Sequence, residues 1–288
     1  MTTVDATHPW AFDRAVATRP AGRDRYLGDL PPEWEVLGGP VNGGLVQAAC
    51  LSAIRQSLPA ELPDPLTSTG HFLAPTMPGP FEVHVQVAGT RRRHATASAT
   101  LVQGERERVR VLATFGNLET VTGPSNPRSN PPKLPPVDQC EVLPDEVLPP
   151  FLRRFDIRYA PGTSGGLLGR TAGHSDILAW VRFADRRPAD SLSLAMFTDC
   201  LPPAVLNAHA AAWVPTIELT AHVRGRPAPG WLRLRFATAH LVDGYLEEDG
   251  EVWDTRDRLV AQSRQLARLR SRAADGGPVT PASTTPSI

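Results

Sequence analysis

The sequence predicts an α+β fold made of two tandem repeats, each a central helix wrapped by a curved antiparallel sheet. Three observations lead there. The order strand region, apolar helix, four strands of period two occurs twice along 288 residues. A proline-rich stretch separates the two occurrences. Residues also echo between them: Ala95 to Val102, a turn and the strand from Arg108 correspond to Leu246 to Trp253, a turn and Arg258-Leu259-Val260, the internal similarity that marks a duplication.

Each element has its own signal. Trp10 to Ala17 alternates weakly, which predicts a first strand. Asn42 precedes Gly43-Gly44-Leu45 and an Ala- and Leu-rich run to Ser57 with an apolar stripe, so a buried helix starts there with Asn42 as N-cap. Leu66 to Ala74, Phe81 to Val87, Ala95 to Val102 and Val109 to Phe115 read as antiparallel strands, the last two joined by a tight turn at Gln103-Gly104-Glu105-Arg106. From Asn117 to Pro150 the chain turns to Pro, Ser and Asn, the composition of a stiff, extended linker.

Strand character resumes at Phe155 to Tyr159 and Ile177 to Phe183. Asp190 caps a second helix through Leu192, Ala195, Met196 and Asp199, which Pro202-Pro203 ends or bends. Pro215 to Val223, Leu232 to Leu241, Tyr245 to Asp254 and Leu259 to Leu269 are the second set of four strands. The expected boundaries are 1–118 for the N-terminal repeat, 119–150 for the linker, 151–270 for the C-terminal repeat and 271–288 for a disordered tail.

Composition excludes several functions. The 30 basic and 30 acidic residues cancel, so nothing draws nucleic acid or an anionic membrane in bulk. The three cysteines, Cys50, Cys140 and Cys200, are far apart and lack any CxxC or Cys/His pairing, which speaks against a disulfide framework or a zinc site. With no ligand cluster and no Gly-rich nucleotide loop, no metal or redox cofactor is expected. The N-terminus lacks the basic start and apolar core of a signal peptide and no run approaches the length of a membrane helix; a soluble, cytoplasmic protein is expected.

The chemistry concentrates in Pro215 to Val223. Thr216, Glu218, Thr220 and His222 alternate with Ile217, Leu219, Ala221 and Val223, which places an acid, two hydroxyls and an imidazole on one face of a strand. A half-solvated strand carries the same pattern. A carboxylate partly buried beside apolar strands has its pKa raised and takes a proton from water, and a Gln amide both accepts from that water and donates to it. An oxyanion needs fixed donors, and the amides of Gly43 and Gly44 after Asn42, at a helix start, are suitable in kind.

Four segments carry a family resemblance: Val41-Asn42-Gly43-Gly44-Leu45, Ser68 to Pro75, Pro215-Thr216-Ile217-Glu218, and Glu248 to Asp254 followed by Arg258 to Leu266. Over residues 10 to 270 the chain resembles the acyl-CoA thioesterase II group of double-hotdog proteins, particularly its actinobacterial members. The resemblance implies water attack on a thioester carbonyl between the two repeats, with an acid, a hydroxyl and a Gln holding the water. The acid falls on Glu218, where better-known members have Asp, and the Gln on Gln265. The hydroxyl position lands on Ala237 or Ala239; Thr238 is adjacent, and Thr220, on the face of Glu218, is the substitute. Coenzyme A enters as part of the acyl-CoA substrate, and a homo-oligomer is expected by analogy.

Two rivals follow from the same residues. Gly70-His71-Phe72 with Met77-Pro78-Gly79 is similar to the signature of hotdog acyl-carrier-protein dehydratases, with His71 as base; in the thioesterase reading His71 and His222 are instead candidate oxyanion or substrate-binding residues. In those enzymes Met-Pro-Gly opens the central helix, whereas here it opens Phe81 to Val87, whose period is two. The displaced hydroxyl raises the third possibility, a non-catalytic acyl-CoA binding protein.

Overall fold

The computed structural model describes residues 9–126, 129–209 and 213–270. The tail expected at 271–288 lies outside the described residues. In chain order the elements are α1 (Ala11–Ala15), β1 (Arg19–Pro20), β2 (Arg25–Leu30), α2 (Gly43–Ser57), β3 (Asp64–Phe72), β4 (Gly79–Thr90), β5 (Ala95–Gln103), β6 (Arg106–Gly116), β7 (Phe155–Tyr159) and β8 (Asp176–Phe183). They continue with α3 (Ser193–Phe197), β9 (Thr216–Val223), β10 (Leu232–Ala237), β11 (Leu241–Val242), β12 (Tyr245–Trp253) and β13 (Leu259–Arg268).

All thirteen strands join one antiparallel sheet whose centre is the pairing of β3 with β9. Outward from that seam the order is β6, β5, β4, β2 on one side and β13, β12, β10, β8 on the other. Positions 151 apart correspond across the seam. Thr69 lies opposite Thr220, their hydroxyl oxygens 2.8 Å apart. His71 and His222 follow, then Pro78-Gly79 and Pro229-Gly230, and both glycines sit at φ +117°, a left-handed backbone region in which a side chain is strained. The helix starts correspond as well: Asn42 Oδ1 accepts the Leu45 amide at 3.0 Å, and Asp190 Oδ1 accepts the Ser193 amide at 2.8 Å.

One face of the sheet is the core. Alternate residues of β5 and β6, among them Ala97, Ala99, Leu101, Val109, Val111 and Phe115, are fully buried. α2, buried from Gly44 through Ile54, packs on β3 to β6. α3 is a single turn and packs on α2, β9 and β13. Beyond it Phe12, Trp34, Phe155, Phe183 and Phe197 form a chain of ring contacts with centroids 4.8 to 6.4 Å apart.

Two expectations change. Trp10 to Ala17 holds helix α1, not a strand: Phe12 and Ala15, three apart, are both buried, and Asp185 Oδ2 accepts the Ala11 amide at 2.9 Å. The proline-rich stretch is tied to the second half, since Trp180 Nε1 donates to the Pro135 carbonyl at 2.9 Å and Glu141 pairs its backbone with Tyr159. Among the described residues no helix is long and apolar enough to cross a membrane.

Candidate active site

Of the predicted polar row of β9, Glu218, Thr220 and His222 face away from the helices, and Thr216 does not. Ser68 and Gly70 of β3 lie under α2, where Gln47 Nε2 donates to Ser68 Oγ at 2.7 Å and Gln47 Oε1 is 2.7 Å from the Cβ position of Gly70. Their partners on β9 are Ala221 and Leu219, which in turn pair with Ser263 and Gln265 of β13. The inner row is therefore Gly70, Leu219, Gln265, Glu248. Glu218 belongs to the next row, between exposed His71 and exposed Leu266 on the outer face.

Glu218 and Gln265 are consequently not brought together, because adjacent rows of a pleated sheet point to opposite sides. The Glu218 carboxylate is occupied by Thr220 Oγ1 at 2.5 Å, and Thr220 by Thr69. His71 and His222 are both exposed on this outer face. Thr238 follows β10 and is separated from β13 by β12; its buried hydroxyl has no partner among the described residues. Of the predicted set, the inner side keeps Gln265, Asn42, Gly43 and Gly44.

The carboxylate they meet is Asp199, at the end of α3. Its Oδ2 accepts the Gly44 amide at 2.7 Å and Asn42 Nδ2 at 3.1 Å, and Asn42 Nδ2 also reaches the Asp199 carbonyl at 3.0 Å. The Gly44 amide is thereby used. Gly43 keeps the one first-turn amide with no protein acceptor among the described residues. Asp199 Oδ1 has no partner either, and the residue is only partly buried. Burial raises its pKa to about 6 against the lowering effect of the Gly44 and Asn42 donors.

Asp199 stands over the inner row. Ser263, two residues before Gln265 on the same face, donates to the carbonyl of Thr198 at 3.3 Å. Gln265, 6% exposed, is held at both ends of its amide: Nε2 donates to Glu248 Oε1 at 2.7 Å, and Oε1 accepts from Thr216 Oγ1 at 2.8 Å. Thr216 reaches this side because the register shifts between Leu266 and Ala267, a bulge that breaks the alternation of β9. Glu248, 3% exposed, also accepts the Ala204 amide at 2.5 Å. Burial pushes Glu248 up to about 7, the two donors pull it down, and the nearby Asp199 charge adds to the rise.

Three residues of this arrangement escaped assignment from sequence: Asp199, Thr216 as an inner residue, and Glu248. A signal for Asp199 existed, since it is the one charged side chain in the apolar run from Leu192 to Val205. Neither buried cysteine competes as a nucleophile: burial pushes Cys50, in α2, up to about 12 and Cys200, just after α3, well above the ordinary thiol range. Among the described residues no group of three or more His, Cys, Asp or Glu side chains could hold a metal ion.

Comparison with known proteins agrees along most of the chain. Residues 30–116 match the family model of the acyl-CoA thioesterase N-terminal domain, and residues 129–269 that of the acyl-CoA thioesterase C-terminal domain. An uncharacterized protein of Mycobacterium tuberculosis is 28% identical over 293 residues, covering 90% of this chain and 98% of that one. A crystal structure from Thermobifida fusca, provisionally assigned as a thioesterase II, is 32% identical with a TM-score of 0.82 over 91% of this chain and 99% of that one. A hot dog fold protein of unknown function from Alicyclobacillus acidocaldarius, 23% identical, superposes with a TM-score of 0.81 over 91% of this chain and 98% of that one, which shows the fold.

Proposed function

Because this chain belongs to the acyl-CoA thioesterase family, we propose that it hydrolyses acyl-CoA thioesters at the junction of two tandem hotdog repeats, with Asp199 as the base. In this reading α2 belongs to the N-terminal repeat and α3 to the C-terminal one, in line with the ranges 1–118 and 151–270 expected from sequence. The observation that carries the assignment is the half-engaged carboxylate: one oxygen of Asp199 is fixed by Gly44 and Asn42, the other has no partner among the described residues, and the neighbouring Thr198 carbonyl takes the hydroxyl of Ser263, which shares the inner face of β13 with Gln265.

The steps follow from those groups. A water held by the free oxygen of Asp199, by Thr216 Oγ1 and by the Gln265 amide attacks the carbonyl carbon of the thioester as its proton passes to Asp199. The negative charge that develops on the carbonyl oxygen is met by the Gly43 amide at the start of α2, where the helix dipole adds a partial positive charge. Collapse breaks the carbon–sulfur bond, and the proton on Asp199 goes to the departing thiolate. The products are the free acid and coenzyme A. A carboxylate raised to about 6 is ionised near neutrality and more basic than an ordinary aspartate, as the proton transfer needs.

A thiol-release assay over acyl-CoA chain lengths tests this. The wild type is expected to turn over, and Thr216→Val and Gln265→Ala to lose at least about tenfold in kcat, within the range for removing a positioned polar group. Saturable acyl-CoA binding without thiol release would instead identify a binding protein. Hydration of an enoyl thioester, lost on His71→Ala, would move the chemistry to the outer face.

A further inference from the structure

Within the proposed hydrolytic site one buried acid has no part in the chemistry. Among the described residues Glu248 makes no hydrogen bond to the first turn of α2 or to Asp199. It bonds instead to the two pieces of backbone and side chain that must stay in register for the water to be held. Its Oε1 takes the Gln265 amide from β13, and its Oε2 takes the backbone amide of Ala204, five residues after Asp199 on the segment that leaves α3. An acid 3% exposed between apolar strands is costly to bury, and these two donors are what offset the cost. We propose that Glu248 is a positioning residue: it sets which end of the Gln265 amide faces Thr216 and Asp199, and it ties that amide to the segment carrying Asp199.

The logic is one of donors and acceptors. Both Glu248 oxygens already accept, Oε1 from the Gln265 amide and Oε2 from the Ala204 N–H, so Gln265 presents Nε2 to Glu248 and therefore Oε1 to Thr216. Thr216 Oγ1 must then donate to Gln265, and its lone pairs stay open toward the water. With Glu248→Gln the new amide keeps the Ala204 bond through its oxygen and turns an NH2 toward Gln265. Gln265 meets that donor only by exchanging its own oxygen and nitrogen, which reverses what it offers to Thr216 and to the water. The side chain at 248 keeps its size, and the fold is expected to keep its stability.

This inference rests on Gln265 acting in the reaction, and the experiment separates the two. The kcat, KM and thermal midpoint of the full chain are compared for Glu248→Gln, Gln265→Ala and the double variant, with an acyl-CoA that the wild type hydrolyses. Expected are a kcat lowered about tenfold or more by Glu248→Gln, a KM within about twofold, an unchanged or higher midpoint, and no further loss when it is added to Gln265→Ala. Losses that multiply in the double variant would show that Glu248 acts independently and would overturn the inference. So would a Glu248→Gln enzyme as fast as the wild type while Gln265→Ala is impaired. If Gln265→Ala itself is fully active, the site assignment fails instead. Should Glu248→Gln not fold, Glu248→Asp serves: one methylene shorter, it keeps the charge but reaches only one of its two donors, and wild-type kcat there would equally overturn the proposal.

Discussion

Asp199 and Gly44 are in closer contact than a side chain at position 44 would permit. The carboxylate takes the Gly44 amide at 2.7 Å, and a Cβ added to Gly44 would stand 2.8 Å from the Cβ of Asp199 and 3.3 Å from the Ala195 carbonyl. The end of α3 is thus pressed onto the start of α2, and the contact spans two residues 155 apart in sequence. Two opposing effects meet there. Burial disfavours the charged carboxylate, while the amide donors at a helix start favour it, and burial is the larger.

Replacing that carboxylate should stop turnover. Asp199→Asn keeps the size and can still accept from Gly44, so KM should change little while kcat falls at least about a hundredfold, the usual loss of a general base. The wild-type rate should decline as pH drops through about 6, where Asp199 takes up a proton. A pH–rate profile of residual Asp199→Asn activity should lack that limb.

The same shift has a sign for stability. Asp199 rises from 3.8 to about 6 and Glu248 from 4.5 to about 7 on folding, so each contribution is fully present below the unfolded value and is lost as pH rises through the folded one. Asp199→Asn, which carries no charge to bury, should therefore be more stable than the wild type at pH 8 by about 1–3 kcal/mol. Urea unfolding at pH 8 and pH 4 should show the difference closing at the lower pH.

Gly44→Ala tests the contact between the helices directly. A methyl that needs Asp199 to retreat should destabilise the fold by about 1–3 kcal/mol, the range for overpacking, despite the better helix propensity of alanine. Displacing the carboxylate should also lower kcat about tenfold or more. Denaturant midpoints and thiol release on one preparation report both.

Glu218→Gln should be close to neutral. The side chain lies on the outer face, bonded to Thr220, and shares no row with Gln265. Thiol release within about threefold of wild type is expected, and a loss of a hundredfold or more would return the chemistry to that face.

The duplication should provide one site per chain, not two. By register, Ala113 and Ala97 occupy the places in the first half that Gln265 and Glu248 occupy in the second. At the start of α3, Ser191 Oγ donates to Asp64 at 2.6 Å, and Asp64 also takes Arg226 and the Leu118 amide, a closed polar cluster with a 2% exposed acid. Calorimetric titration with a non-hydrolysable acyl-CoA thioether should give one molecule bound per chain, and two would count against this assignment.

Local pattern alone determined most of the elements. The caps at Asn42 and Asp190, the period-two runs and the turn glycines specify helices and strands through interactions within a few residues, so most of those elements stand where the sequence places them; the second helix, expected through Asp199, is only the turn Ser193–Phe197, and the strand expected to Leu241 ends at Ala237. An internal echo was legible for the same reason, since local features recur 151 residues apart, as at Pro78-Gly79 and Pro229-Gly230. The family resemblance, not composition, pointed to the thioester chemistry, and it put Gln265 among the candidates.

Which acid meets that Gln was a different kind of question. Alternation within β9 says that Glu218 and Leu219 face opposite ways, and only the pairing with β3 and β13 decides which of the two faces the helices. The bulge beside Leu266 then turns Thr216 inward, against the alternation. Asp199 and Glu248 enter the proposed site through contacts made by packing a short helix onto a distant helix and strand, and no spacing along the chain encodes those distances. Side-chain periodicity is a property of one strand, whereas a constellation of side chains is a property of several elements held in register, which is why the sequence points to Glu218 and the proposal for the acid rests on Asp199.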